Sequence, residues 1–456
     1  MQPRRLLTGR GILFIGFAFT VMADPVSSIA YAIESALRHL DGNLADLFLA
    51  MALVLGTIAV IAATYHQLIR RFPEGGGGAR SVATAFGDAW AFIPLGALLV
   101  DFVITVAISC AAGASAIIAY VPGLDSARVL LALGLTALVA TGISFGHRGR
   151  LAFSSATLLF LAVAAIVIVA GAAGPAQTPV HAKHSSPLLA DASLIPALLA
   201  MPLAMALATG IEAPSDAIAQ LHGLDRTDRR QFGQRTIWLT VGIVGVLTVG
   251  VTGLAVTRGV GLPPSDSTLL AEVARTSVGD GAVFALFQAA SALLLLAAAA
   301  SSYLAASGLL KALALVGADR KNEGLVPRRF AVLNRHHVPP WGILLVLVAS
   351  AALIAMAQGQ DQEIVRYYAV SVFAGFLGAT IGCARLSLRD GKLVELGVNL
   401  LGVVLVAFVL ALNMVRPAGV IALSAAALVA GYLYAVWVRR GRPSGVAEAE
   451  LKAEAS

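Results

Sequence analysis

Asp24, Asp101 and Glu212 are carboxylates set in long apolar stretches with no basic side chain nearby in sequence. A charge at the centre of a bilayer costs at least about 2.5–3.5 kcal/mol, so each needs a partner or a watery cavity. Glu34 also stands in such a stretch, but Arg38 follows one helical turn later and accounts for it by pairing. A pocket with surplus carboxylate and no internal cation suits a cation from outside, or protons. Asp101, Thr105 and Ser109 recur at i, i+4 and i+8, which puts three oxygens on one helix face. Hydroxyls in membrane helices often bond their own backbone, which explains Thr105 or Ser109 alone but not Asp101 beside them. Tyr31, Thr209 and Tyr368 add neutral oxygens from other apolar stretches. Hard cations take oxygen ligands, and a dehydrated monovalent ion takes several, many of them neutral.

The elements that carry these residues follow from composition. Of 456 residues, 58% are hydrophobic and 12% charged, against about a quarter charged in soluble domains. The apolar residues fall in blocks of about 18 or more, enough to cross a hydrocarbon core of about 30 Å. The reading is an all-α membrane protein in a lipid bilayer, with about twelve transmembrane helices. Their approximate bounds are 11–39, 44–68, 85–120, 127–145, 150–173, 192–222, 235–257, 279–316, 338–357, 364–386, 394–412 and 417–438. With the N-terminus inside, roughly 25 Lys and Arg fall on one side and roughly 7 on the other, as the positive-inside rule requires. Both termini are therefore expected in the cytoplasm. The formal charge of +7 reports this topology and not a nucleic-acid partner. Cys110 and Cys383 fall inside spans as small apolar side chains, and no disulfide or zinc spacing exists. Arg4 and Arg5 before an apolar stretch resemble a signal peptide, but the stretch is too long and contains Asp24, so cleavage is not expected.

One membrane domain is expected over 1–442, followed by a short disordered cytoplasmic tail over 443–456. Gly75–Gly78 reads as a flexible cytoplasmic turn, since no Walker Lys-Ser/Thr follows and no strand precedes it. His181 and His184 lie in an external loop and read as solvated side chains, with metal binding a minor alternative. More telling are two interruptions inside spans. Pro25 follows Asp24 in the first span, with Ser27 and Ser28 competing for backbone groups, and Thr209-Gly210-Ile211-Glu212-Ala213-Pro214 breaks the sixth. Irregular backbone survives at membrane depth only where it lines a site or is buried in protein. Two breaks five spans apart, each with a carboxylate, match a LeuT-like 5+5 inverted repeat with substrate at the midplane. Repeat one would cover about 11–173, repeat two about 192–386, and two further helices about 394–438.

Asp24-Pro25-Val26-Ser27-Ser28-Ile29-Ala30-Tyr31, Phe72-Pro73-Glu74-Gly75-Gly76-Gly77, Asp101-Phe102-Val103-Ile104-Thr105, Thr209-Gly210-Ile211-Glu212-Ala213 and Tyr367-Tyr368-Ala369-Val370-Ser371-Val372-Phe373 carry a resemblance. The chain resembles the bacterial KimA-type and KUP potassium importers of the amino acid–polyamine–organocation (APC) superfamily. Gly324-Leu325-Val326-Pro327-Arg328-Arg329-Phe330, closing on Asn334 and Pro339, is similar to that superfamily's loop after span 8. The resemblance implies that Asp24, Tyr31, Asp101, Thr105, Ser109, Thr209 and Tyr368 surround potassium and that Glu212 carries the coupling proton. Phe102 stands where the family pattern has Tyr, which removes one hydroxyl. The large cytoplasmic C-terminal domain of KimA-type importers has no counterpart in the sequence, so regulation and dimerisation through it are not implied.

The expected function is proton-coupled potassium uptake by alternating access in a bacterial cytoplasmic (inner) membrane, with no cofactor beyond the transported ion and coupling proton. No nucleotide-binding motif points to ATP, and no catalytic motif points to an enzyme. The chief rival is an amino-acid or organic-cation permease of the same superfamily. Such permeases break the first span at bare glycine amides that receive a carboxylate, where this chain has Asp24-Pro25. A divalent-metal transporter is a second rival, because Asp24-Pro25 matches half of an Asp-Pro-Gly-Asn break. A sensor without transport is a third. The sequence sets no oligomeric state and is compatible with a dimer.

Overall fold

The computed structural model describes residues 3–175, 192–221, 223–318 and 323–449. His181 and His184 lie outside the described residues, as do Arg320 and Lys321. The regular elements among the described residues are all helical. The first span is jointed from α1 (Pro3–Val21), α2 (Ala23–Ser27) and α3 (Ile29–His39). Then come α4 (Leu44–Arg71), the connecting α5 (Gly77–Phe86), α6 (Phe92–Tyr120), α7 (Arg128–Ile143) and α8 (His147–Ala173). The sixth span is split into α9 (Leu194–Ala204) and α10 (Ala213–Ala217), and α11 (Arg226–Arg258) follows. A short α12 (Leu269–Val278) precedes α13 (Ala282–Leu315), α14 (Pro340–Met356), α15 (Asp361–Arg389), α16 (Leu393–Met414) and α17 (Pro417–Arg439). Ten segments among the described residues are long and apolar enough to cross a bilayer. The other two expected spans correspond to the jointed α1–α3 and to α14, an apolar helix of 17 residues.

Local sequence sets several boundaries. The Asn43 side chain caps α4 by accepting from the Ala45 and Asp46 amides, and Asp225 caps α11 through the Asp228 amide. Gly259 ends α11 in the left-handed conformation that glycine adopts without penalty. The helix α11 begins well before the expected 235, because Arg226–Arg235 continues it on the basic face. Two other features depart from the expectations. Only Gly75 and Gly76 form the turn after α4, with φ of 104° and 87°, while Gly77 and Gly78 already belong to α5. Residues 443–449 fold back instead of trailing away: the Trp437 indole donates to the Pro443 carbonyl at 2.9 Å, and Val446 and Ala449 are buried. Apolar side chains on that stretch find a cluster with Phe92 and Leu313, which a polarity count alone does not reveal.

The centre of the bundle is α6, packed by α13, α15, α17, α7 and α14. In its most apolar window 67% is buried, against 22% for the peripheral α16. Gly96 lets α17 approach: a Cβ there would lie 2.7 Å from the Ala430 amide nitrogen. Small residues at such crossings are how membrane helices pack without a hydrophobic drive between them. The peripheral α16 is tied in by polar contacts. Fully buried Asn399 donates to Gln67 Oε1 at 2.9 Å and to Ser387 Oγ at 3.1 Å, and accepts from Thr64 at 2.9 Å.

Candidate ion-binding site

The two breaks differ in depth. In the first span the ladder largely carries through: the Val26 amide donates to the Met22 carbonyl at 3.0 Å and Ala32 to Ser28 at 2.9 Å. Ser27 and Ser28 hydroxyls donate to the Asp24 and Pro25 carbonyls, at 2.8 and 2.7 Å, supplying partners near the joint. The sixth span unwinds fully. After a 3-10 turn over Met205–Ala208, Thr209 is extended with ψ of 140° and Gly210 turns back with φ of +77°, before α10 starts behind Glu212. The two breaks touch. A Cβ on Gly210 would lie 2.6 Å from Pro25 Cδ and 3.1 Å from Asp24 Oδ2, so the proline ring and the carboxylate rest directly on the glycine.

Across this junction stands the α6 face read from the sequence, with Asp101, Thr105 and Ser109 all buried. Asp101 lines the same cavity as Glu212. Tyr31 from α3 and Tyr368 from α15 meet edge to face, with ring centroids 6.1 Å apart at 77°. Thr105 Oγ1 donates to the Tyr368 hydroxyl at 3.2 Å, and Ser371 Oγ reaches Asp101 Oδ1 at 3.5 Å. Asp24 Oδ1, the Tyr31 hydroxyl, Ser109 Oγ and Thr209 Oγ1 are buried with no hydrogen-bond partner among the described residues. Unpaired oxygens of this kind are costly at membrane depth and are the donor set a dehydrated cation uses.

The sequence-derived set divides in two. Asp101 and Glu212 line a cavity of about 30 Å³, with Asp216, Ser371, Tyr65 and Gly78 among its other walls. That is room for about one water-sized particle. Asp24, Tyr31, Thr105, Ser109, Thr209 and Tyr368 do not line it. No Lys, Arg or His lines the cavity either. Its walls on α5 and the first half of α6 place it toward the face that carries the basic loops. On the far side of Tyr31 and Tyr368 lies a polar network around Arg128 and Asp361.

Two lining residues escape the sequence reading. Asp216 is one helical turn after Glu212 and buried, and its position past Pro214 makes it look like the polar end of a span. Ser371 is three residues after Tyr368, a spacing that puts both on one face of α15. Glu34 behaves as its sequence context implies, pairing with Arg38 at 2.7 Å and also accepting from the Leu269 amide at 2.8 Å.

An all-helical bundle with two broken helices meeting around buried carboxylates defines a multi-pass membrane permease. A family model for amino acid permeases matches residues 14–437, and the chain belongs to that family. It is also similar to the potassium transporter KimA of Bacillus subtilis (strain 168), with 26% identity over 363 residues. That match covers 78% of this chain and 58% of the relative, so the chain spans little more than half the length of the curated relative it matches. The APC resemblance read from the motifs and the family match agree, and both describe transporters rather than enzymes.

Proposed function

We propose that the protein takes up potassium by secondary-active transport coupled to protons, alternating access around the junction of the two breaks. The observation that carries this reading is the convergence of three carboxylates at the break junction: Asp24 rests on Gly210, two residues before Glu212, and Asp101 and Glu212 share a cavity with no basic lining residue. Asp24 and Asp101 would supply the charge, and Thr105, Ser109, Thr209, Tyr31 and Tyr368 the neutral oxygens. Glu212, on the cavity wall toward the basic face, would exchange the proton. The contact between Pro25 and Gly210, five spans apart in the chain, supports the 5+5 inverted repeat. The basic loops support a bacterial inner-membrane topology with both termini in the cytoplasm. The name of the relative, potassium transporter KimA, favours potassium over other cations.

The family match to amino acid permeases keeps a second reading in play, transport of an amino acid or organic cation. Asp24 argues against an amino acid, because a carboxylate beside the junction repels the substrate's own. For a divalent metal, no group of three or more His, Cys, Asp or Glu among the described residues is arranged to hold one. Uptake into vesicles reconstituted with the purified protein separates these readings. Rubidium or potassium should enter, and a proton ionophore should slow the entry. Entry of labelled amino acids without rubidium would overturn the substrate, and uptake indifferent to the ionophore would overturn the coupling.

A further inference from the structure

We propose that Arg128, Ser115 and Asp361 form the outer gate of the transport path. The inference rests on the alternating-access reading and adds residues that the ion site does not contain. The network ties together α6, α7, α15 and the α11–α12 connection, and reaches α3 through Gln362. Arg128, buried at the start of α7, donates to Ser115 Oγ on α6 at 2.7 Å, to the Ser265 carbonyl in the α11–α12 connection at 2.6 Å, and to Asp125 at 2.9 Å. The Ser115 hydroxyl in turn donates to Asp361 Oδ1 at 2.7 Å. Asp361, also buried, takes a second bond from Gln362 at 2.9 Å, and Gln362 reaches the Tyr31 carbonyl at 3.4 Å. Gly359 sets the turn before α15 against Arg128, where a Cβ would lie 3.1 Å from Arg128 Cγ.

Position makes this network a gate and not only a brace. Asp361 and Tyr368 are seven residues apart on α15, so they share a face two turns apart. The lock therefore sits about two helical turns along α15 from Tyr368, on the Tyr31–Tyr368–Thr105 side of the candidate site. The helices that carry Thr105, Tyr31 and Tyr368, namely α6, α3 and α15, are the ones joined here. Arg128 and Asp361 are linked through one shared hydroxyl, so a single separation of α15 from α6 breaks the chain of bonds.

Cysteine accessibility tests the gate without relying on which ion is carried. The native Cys110 and Cys383 are buried, so background labelling is low. Ala112→Cys places a reporter on the Thr105 face of α6, two turns toward the lock, and Ala79→Cys places one on the wall of the inner cavity. In right-side-out vesicles without substrate, Asp361→Asn or Arg128→Gln should raise labelling of the Ala112→Cys reporter by an impermeant reagent about tenfold or more. In inside-out vesicles the same variants should lower labelling of the Ala79→Cys reporter. Ser115→Ala, which removes only the bridging hydroxyl, should give a smaller change in the same directions if the larger variants do not fold. Unchanged outer labelling overturns the gate, and a rise at both reporters overturns it in favour of general loosening. Failure of rubidium uptake in the parent protein leaves these results intact and counts only against potassium.

Discussion

Arg128 and Glu74 stand at opposite ends of the same bundle, and their surroundings differ in kind. The Arg128 side chain is 6% exposed and spends its donors on three separate elements. Glu74, in the turn after α4, pairs with Arg226, whose side chain is 79% exposed, and with Arg80 at 3.5 Å. Exposed pairs contribute about 0–1 kcal/mol, whereas stripping one partner from a buried charge network costs about 3–5 kcal/mol. The helices around Arg128 are thus held by a small number of buried, interdependent bonds. The turn around Glu74 is held by pairs that water can partly replace, while the buried network of Asn399, Gln67 and Ser387 ties α16 at that same end. The cavity beside Asp101, Glu212 and Asp216 is walled in part by α5, the helix that follows the Glu74 turn. The difference teaches that how firmly each end is tied depends on where its charges are desolvated, not on how many ion pairs it has.

Four substitutions grade that contrast. The largest effect is expected from Arg128→Met, which strands Asp361 and Ser115 and should lower stability by about 3 kcal/mol, read as a fall in the thermal midpoint of the purified protein. Gly210→Ala comes next. Its positive φ and its overlap with Pro25 should cost about 1–3 kcal/mol and abolish uptake, because the two breaks can no longer touch. Gly77→Ala sets a methyl 2.1 Å from Asp216 Oδ1, the end of a side chain that can swing aside. A cost of about 1 kcal/mol is expected there, with uptake reduced more than the thermal midpoint implies. Glu74→Gln should change stability by less than about 1 kcal/mol, and a loss as large as that of Arg128→Met would erase the distinction between the two sides.

Much of this was legible in the residues themselves. Block lengths and charge asymmetry lead to an all-helical membrane bundle, and the i, i+4, i+8 spacing finds the buried face of α6. The paired breaks were visible because proline and glycine act locally on the backbone. Their unequal depth was not: Pro25 is accommodated in a short helical joint, while Gly210, with positive φ, completes a true unwinding. Arg128 and Asp361 sit at span ends, where charges are ordinary, and only the fold reveals that 246 residues of separation between Ser115 and Asp361 close to one hydrogen bond. The division between cavity-lining and packed-away site residues was equally hidden, since it depends on how α5 and α15 meet over Asp101. Glu34 shows the opposite case, where a local partner at i+4 explained a buried carboxylate from sequence alone.

The claim that Asp24 and Asp101 serve one cation site is tested most directly by equilibrium rubidium binding to the purified protein in a double-mutant cycle. Asp24→Asn and Asp101→Asn should each weaken binding at least about tenfold, and the double variant should bind little worse than the weaker single, as groups sharing one ligand do not act additively. Binding by Asp24→Asn equal to that of the parent protein would contradict the site.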